Sequence, residues 1–412
     1  MDRSTTETTA GNTIVPTTVL QQMTNKEKHI PQGYKDSPLG IIPKEWEVKR
    51  LGDLCIDIYS GKNKVRVESG TYPVYGSTGI IGKTDEYKYD GDRILVARVG
   101  AHAGQVSSAS GKYDVSDNTI IVENKEHYSQ YFAYQQLIAA NLNKLVFGSG
   151  QPLITAGMLK RMYVICPPPV EQEKINAVLK LWDTAIEKQS KLIEKLKLRK
   201  RALMQQLLTG KKRLPGFSGK WIHVPIKTFA KEVSNRNVGG ANHIVLSCTK
   251  YDGLVPSLEY FGKQIYSNDL SSYKIIPQGH FAYATNHIEE GSIGYQSNYE
   301  NGLISPMYTV FVTNKGKVND TFLYAVLKSH HLIYLYKSMM EGSINRRGGL
   351  RWDPFSTIKI DLPSLEEQNA IASVLIKADK EIKLANEKLA NLQYQKRGLM
   401  QQLLTGKKQI NL

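Results

Sequence analysis

The sequence predicts an α+β protein in which two mixed α/β domains alternate with two long helices. Three observations predict it: an internal duplication, a 3.5-residue apolar period inside each copy, and glycine-punctuated β-type runs between the copies. Residues 200–212 read KRALMQQLLTGKK and residues 396–408 read KRGLMQQLLTGKK, identical at twelve of thirteen positions with an offset of 196. Carried backwards without a gap, the offset pairs Glu171-Gln172 with Glu367-Gln368, Val178-Leu179 with Val374-Leu375, Asp183 with Asp379 and Pro167 with Pro363. The chain is a duplication.

Each copy reads as one long helix. Ile175, Leu179, Trp182, Ile186, Gln189, Ile193, Leu196, Lys200, Leu203 and Leu207 follow alternating steps of four and three, and eight of these ten are apolar. Ile371, Leu375, Ala378, Ile382, Ala385, Leu389, Leu392, Lys396, Leu399 and Leu403 repeat the pattern with nine of ten apolar. A 3.5-residue period held over four heptads is the seam of a coiled coil, so mutual pairing of the two helices is the economical arrangement. Prolines 167–169 and Pro363 precede the helices, and Gly210 and Gly406 follow them, as start and stop signals do. The span 175–207 is about 48 Å long at 1.5 Å per residue.

The remaining segments are β-rich. TYPVYGSTGIIG, DRILVARVG and NTIIVE in the first, and HIVLSC, GHFAYAT and MYTVFVT in the second, mix β-branched or aromatic runs with glycine turns. Each segment then carries a helix-like stretch, YFAYQQLIAANL or TFLYAVLKSHHLIYLYKSM. Both open near a tryptophan (Trp46, Trp221) and close on a Gly-Ser loop (Gly148-Ser149, Gly342-Ser343), yet they align poorly. The expected division is a flexible tail over 1–32, domains over 33–166 and 211–362, and helical spacers over 167–210 and 363–412.

Charge and motifs narrow the chemistry. The 412 residues carry 54 Lys+Arg against 38 Asp+Glu, a formal net charge of +16, which points to a polyanion, nucleic acid before a membrane surface. No apolar run approaches the roughly 18 residues of a membrane span, and residues 1–25 lack the apolar core of a secretory signal. Cys55, Cys166 and Cys248 lie far apart, which fits a reducing cytoplasm and no cysteine-built zinc site. GSTGIIGKT at 76–84 mimics a phosphate loop, but Ser77 stands where its first glycine is needed and no helix pattern follows. Asp353-Pro354-Phe355 falls short of an adenine-methyltransferase tetrapeptide, His330-His331 has no metal-ligand spacing, and Asp85, Glu86 and Lys88 read as a solvated turn. No catalytic constellation and no metal set emerges. What remains is basic and amide-rich loop chemistry: Lys62, Lys64 and Arg66; Arg98 and His102; Asn235 and Arg236 beside Asn237; Asn286 and His287; and Asn345, Arg346 and Arg347. Arg and Asn pair with guanine and adenine edges in the major groove. The alternatives are phosphate contacts that position without specifying, solvated loops and, for Arg98, a structural ion pair.

With these residues in view, the chain resembles a specificity subunit of a type I restriction–modification system. The likeness runs over about residues 33–408. It is carried by GYKDSPLGIIPKEWEVKRLGDL, PPPVEQEKINAVL, LMQQLLTGKKRLPGFSGKW, LPSLEEQNAIASVL and the closing LMQQLLTGKK, with ILVARVG and the SPMY of 305–308 inside the domains. The resemblance implies that the domains are target-recognition domains and that the two helices pair as an antiparallel coiled coil about a pseudo-twofold. It implies recognition of double-stranded DNA at a gapped, asymmetric site, one half per domain. The implied partners are two modification subunits and two restriction subunits. The complex would use S-adenosylmethionine, ATP and Mg2+, with no cofactor and no catalysis on this chain. A silent or orphan scaffold and a stand-alone DNA-modifying enzyme are the competing readings, and the absent motifs oppose the second.

Overall fold

The structure is a computed structural model that describes residues 29–64, 67–146, 152–341 and 349–410. Its contacts divide the chain into two compact units, Met1–Glu187 with Ala390–Leu412, and Lys188–Leu389. The expected spacers are therefore shared between units, because each domain packs on the start of one long helix and the end of the other.

In the first unit, β1 (Glu47–Arg50), α1 (Leu51–Leu54) and β2 (Cys55–Ser60) lead into a hairpin of β3 (Tyr72–Gly76) and β4 (Gly79–Thr84). The strands β5 (Tyr89–Asp90), β6 (Arg93–Ala97), β7 (Val106–Ala109), β8 (Lys112–Val115) and β9 (Thr119–Asn124) follow. Then come α2 (Gln130–Ala140), α3 (Ala156–Arg161), β10 (Tyr163–Cys166) and the long helix α4 (Pro169–Leu207), which passes into the second unit at Lys188. The sheets run β2-β9-β6-β7 and β4-β3-β8-β5, with β10 pairing β1. All pairs are antiparallel except β3 with β8. The phosphate-loop mimic is the β3–β4 turn, with Gly79 at a left-handed φ of 98°.

The second unit repeats this plan. It comprises β11 (Ile222–Pro225), β12 (Ala230–Val233), β13 (Ile244–Thr249), β14 (Gly253–Pro256), α5 (Ser257–Phe261), β15 (Lys274–Pro277), β16 (Phe281–Ala284), β17 (Ile293–Tyr295), β18 (Asn301–Ile304) and β19 (Tyr308–Thr313). After them come α6 (Asp320–Leu327), α7 (His330–Glu341), α8 (Trp352–Ser356), β20 (Lys359–Leu362) and the long helix α9 (Leu365–Leu403). The sheets are β12-β19-β16-β17 and β14-β13-β18-β15, with β20 pairing β11. Again one pair is parallel, β13 with β18. The short helix α8 absorbs Asp353 and Pro354 and buries Phe355 in the core.

The helices obey their sequence signals. Ser364 Oγ accepts from Glu367 N at 3.3 Å, which caps the start of α9. Both helices end with glycine in the left-handed region, Gly210 at φ 65° and Gly406 at φ 70°. All ten seam positions of each helix are buried or half-buried. Within the first unit, Ile175 and Leu179 share a core with Met400, Leu403 and Leu404. Within the second, Leu207 shares one with Ile371, Ala372 and Leu375. Burying each such side chain fully is worth about 1.5–3 kcal/mol. Polar seam residues fix an antiparallel register. Lys396 Nζ meets Asp183 Oδ1 at 2.6 Å in the first unit, and Lys200 Nζ meets Asp379 Oδ1 at 2.5 Å in the second. In the second unit Gln189 Nε2 also donates to Ala385 O at 2.9 Å, and Arg199 pairs with Glu381.

A buried glutamine at each helix start ties helix to domain. Gln172 donates to Pro167 O at 2.8 Å and His127 O at 3.1 Å, and accepts from Ser129 N at 2.8 Å. Gln368 does the same with Pro363 O at 3.0 Å, Lys317 O at 3.3 Å and Asn319 N at 2.9 Å. Both glutamines stand beside the apolar seams, and their amides satisfy loop backbone that burial would otherwise strand.

Candidate nucleic-acid interface

The singled-out loop residues that the structure describes fall on equivalent loops in the two units. Register establishes the correspondence. Thr119 pairs with Ala97 at the ends of β9 and β6, and Tyr308 pairs with Ala284 at the ends of β19 and β16. Arg98 therefore corresponds to Thr285, and the segment 98–105 corresponds to 285–292, one loop of equal length in each unit. Both contain a glycine in the left-handed region, Gly104 at φ 86° and Gly291 at φ 90°. A second loop follows β2 and β12 and holds Lys62 and Lys64 in one unit, Asn235 and Arg236 in the other.

A tight turn joins the two loops in each unit. In the first it is Ser116–Thr119, closed by Thr119 N donating to Ser116 O at 3.2 Å. Gly61 N donates to Thr119 O and Arg98 N to Asn118 O, each at 2.9 Å, so the loops carrying Lys62 and Arg98 share this turn. In the second it is Ser305–Tyr308, closed by Tyr308 N donating to Ser305 O at 3.0 Å. Thr285 Oγ1 donates to Met307 O at 3.0 Å, and Lys274 Nζ donates to Tyr308 O at 2.6 Å. Burial holds the Lys274 ammonium below the ordinary lysine range, and the neighbouring Arg236 adds to the effect. The backbones of Arg236 and Lys274 form an isolated antiparallel β-bridge, and Asn235 O accepts from Ile275 N at 2.7 Å.

Lys62, Lys64, His102, Asn235, Arg236, Asn286 and His287 are exposed at this edge. His102 Nδ1 lies 2.9 Å from Gln105 Oε1, and His287 Nδ1 lies 3.5 Å from Glu290 Oε1. Arg98 is half-buried, and its Nη1 donates to Asp117 O at 3.3 Å. Its guanidinium thus braces the turn through a carbonyl and meets no carboxylate among the described residues. Asn237 is buried at 2 % exposure and closes its own loop, donating to Ala241 O at 3.0 Å and accepting from Ala241 N at 2.9 Å. That is a self-bonded turn residue, unlike its neighbours Asn235 and Arg236. Arg66, Asn345, Arg346 and Arg347, like both Gly-Ser loops, lie outside the described residues. The flanks of those loops do meet the same place: Ile154 N donates to Arg98 O at 2.9 Å, and Leu350 N to Thr285 O at 2.8 Å. Of the two tight turns, the sequence singled out SPMY but not SDNT, since only strand register shows that the two are the same element.

Two copies of one α/β domain, each presenting cationic and amide side chains from equivalent loops, define a protein with two matched surface readers. The chain belongs to the type I restriction modification DNA specificity domain family, whose sequence profile matches residues 43–198 and 227–394. It is similar to the type I restriction enzyme MjaVIII specificity subunit of Methanocaldococcus jannaschii, 25% identical over 406 residues, spanning 89% of this chain and 93% of that one. It is also similar to the EcoprrI specificity subunit of Escherichia coli, 29% identical over 160 residues, which are 37% of this chain and 40% of that subunit. Among solved structures, the S subunit of a type I restriction–modification system from M. genitalium matches with a TM-score of 0.55 at 16% identity, covering 87% of this chain and 96% of that one. A structure addressing complex assembly and conformational transition of the type I system matches at 0.56 and 15% identity, covering 89% and 99%. At these identities the likeness shows the fold. No helix among the described residues is long and apolar enough to cross a membrane.

Proposed function

We propose that the chain reads a bipartite, gapped sequence in double-stranded DNA, one half-site per domain, as the specificity subunit of a type I restriction–modification complex in the cytoplasm. One observation carries this reading: equivalent loops in the two units hold different readers, Lys62, Lys64 and His102 in one, Asn235, Arg236, Asn286 and His287 in the other. Loops fixed in place but varied in side chain suit recognition of two unlike half-sites, because Lys and Arg pair with guanine edges and Asn with adenine edges. The surrounding lysines supply phosphate contacts. The paired helices act as an antiparallel coiled coil that sets the gap about a pseudo-twofold.

The partners in this reading are two modification subunits, which methylate adenine with S-adenosylmethionine, and two restriction subunits, which use ATP and Mg2+. The chain contributes recognition and scaffolding, not catalysis. The names of its relatives support this assignment. Mapping methylated adenine across the source genome, with and without the chain, tests it. Deletion should erase one gapped, asymmetric motif and leave other methylation intact. An unchanged map would refute active recognition and favour a silent scaffold.

A further inference from the structure

The tight turn shared by the reader loops carries one equivalent position in each unit, the half-buried Asn118 in the first and the exposed Met307 in the second. The strand register makes them equivalent, one residue before Thr119 and one before Tyr308. The turn backbone is pinned from several sides. Met307 N donates to Ser305 Oγ at 3.3 Å, Met307 O accepts from Thr285 Oγ1, Tyr308 O accepts from Lys274 Nζ, and the Tyr308 hydroxyl accepts from Cys248 N at 3.4 Å. In the first unit Asn118 O accepts from Arg98 N, Asp117 O from Arg98 Nη1, and Ser116 N donates to Tyr75 O at 2.9 Å.

These bonds all hold backbone or anchor side chains, and the Met307 side chain is left 61% exposed. A single exposed methionine on an ordinary surface means little. Here it stands on a braced turn between the loops of Arg236 and Asn286, the pre-organised placement that base reading requires.

We propose that this turn position is a specificity determinant in each domain: Met307 packs on the C5-methyl of a thymine in the major groove, and Asn118 pairs with an adenine at its N6 and N7. The chemistry is that of the side chains, since the thymine methyl is the one apolar group on a major-groove edge, and a carboxamide matches the donor–acceptor pair of adenine. The inference rests on the two-half-site reading above.

The test uses the chain assembled with its modification subunits and duplexes bearing the mapped motif, with each thymine replaced in turn by deoxyuridine. For the wild type, one replacement in one half-site should weaken binding about fourfold, the worth of one buried methyl group. Met307→Ala should erase that difference at the same thymine, and Asn118→Ala should relax a single adenine position in the other half-site. Met307→Ala complexes that keep the full deoxyuridine sensitivity at every thymine, or a half-site pair with no thymine effect at all, would overturn the proposal while specific binding persists. Loss of sequence preference in the wild-type complex itself would instead remove the two-half-site reading, and this inference with it.

Discussion

Replacing Asp183 by alanine removes the main acceptor of Lys396 in the first unit, and replacing Asp379 removes that of Lys200 in the second. Offset and geometry make these duplicate ion pairs, at 2.6 and 2.5 Å. Their surroundings differ. The Lys396 side chain is 13% exposed and that of Asp183 41%, against 27% for Lys200 and 58% for Asp379. Asp183 also accepts from Gln135 Nε2 at 3.2 Å and from the Tyr131 hydroxyl, whose own acidity burial and this carboxylate suppress. Breaking a fully buried pair costs about 3–5 kcal/mol, because a charge is left unpaired. With Asp183 two-fifths exposed, solvent screens part of that, so Asp183→Ala should cost about 2–3 kcal/mol. Asp379→Ala resembles loss of a surface pair and should cost about 0.5–1 kcal/mol. Urea unfolding followed by tryptophan fluorescence would measure both. Raising salt to about 1 M, where the Debye length is about 3 Å, should erase most of the Asp379 effect and spare most of the Asp183 effect. Lys396→Met should be milder than Asp183→Ala, since Asp183 keeps Tyr131 and Gln135. Equal losses at the two aspartates, or a larger one at Asp379, would refute the burial argument.

Three other outcomes follow from the same geometry. Gln172→Leu or Gln368→Leu strands one backbone N–H and two carbonyls at the helix start, so each should cost about 2–3 kcal/mol by thermal or urea unfolding. Asn286→Ala should broaden one base position in one half-site at about 1–3 kcal/mol of discrimination, read from methylome motifs, whereas uniform weakening would make Asn286 a phosphate contact. A heptad inserted after Glu187 and another after Leu389 keeps every pairing inside each unit in register and adds about 10 Å to each helix. The methylated motif should then gain about three base pairs of gap at about 3.4 Å each, with unchanged half-sites. Altered half-sites at constant gap would sink the spacer model.

The helices were legible because their signal is local and repeated. A 3.5-residue period, flanking prolines and glycines, and an ungapped offset all survive in a single sequence, and the polar seam residues Lys396 and Lys200 sit where that period puts them. The domains were legible as mixed α/β, β-type runs followed by a helical stretch that falls on α2 in one and on α6 and α7 in the other, but not in their topology. Their correspondence rests on strand register, as when Arg98 falls opposite Thr285 and His102 opposite Glu289, and no local pattern announces a parallel pair such as β3 with β8. Asn237 shows the limit from the other side. Its neighbours match those of a reader, but the backbone of Ala241, four residues on, captures its amide. Asn118 was invisible for the converse reason, since it belongs to no basic cluster, and Met307 stood out only as part of SPMY.

The two units also differ in how they are closed, and the difference follows from chain connectivity. In the second unit, buried Glu367 accepts from Arg213 Nε at 2.5 Å and Nη2 at 2.6 Å, and from Trp221 Nε1 at 3.2 Å. Gly210, Arg213 and Trp221 lie on one short stretch of chain, so the end of α4 and the entry to the domain are covalently neighbours. In the first unit the matching parts are Gly406 and Trp46, separated by 360 positions. Gly406 still lies against the Pro43 and Trp46 rings, and a Cβ there would clash with Pro43 Cδ and meet Trp46 Cε3 at 3.1 Å. The offset, however, places Gln409 where Arg213 stands, and Trp46 Nε1 is buried with no hydrogen-bond partner among the described residues. The first core cannot be completed until Leu399, Met400, Leu403 and Leu404 arrive, because they bury the faces of Ile175, Leu179 and Trp46. The second unit is one continuous stretch, Lys188–Leu389, whereas the first draws on both ends of the chain. The near-identity of LMQQLLTGKK in the two helices then has a physical reason. Each copy must end a helix against a tryptophan-led domain, one through a local turn and the other across the length of the sequence.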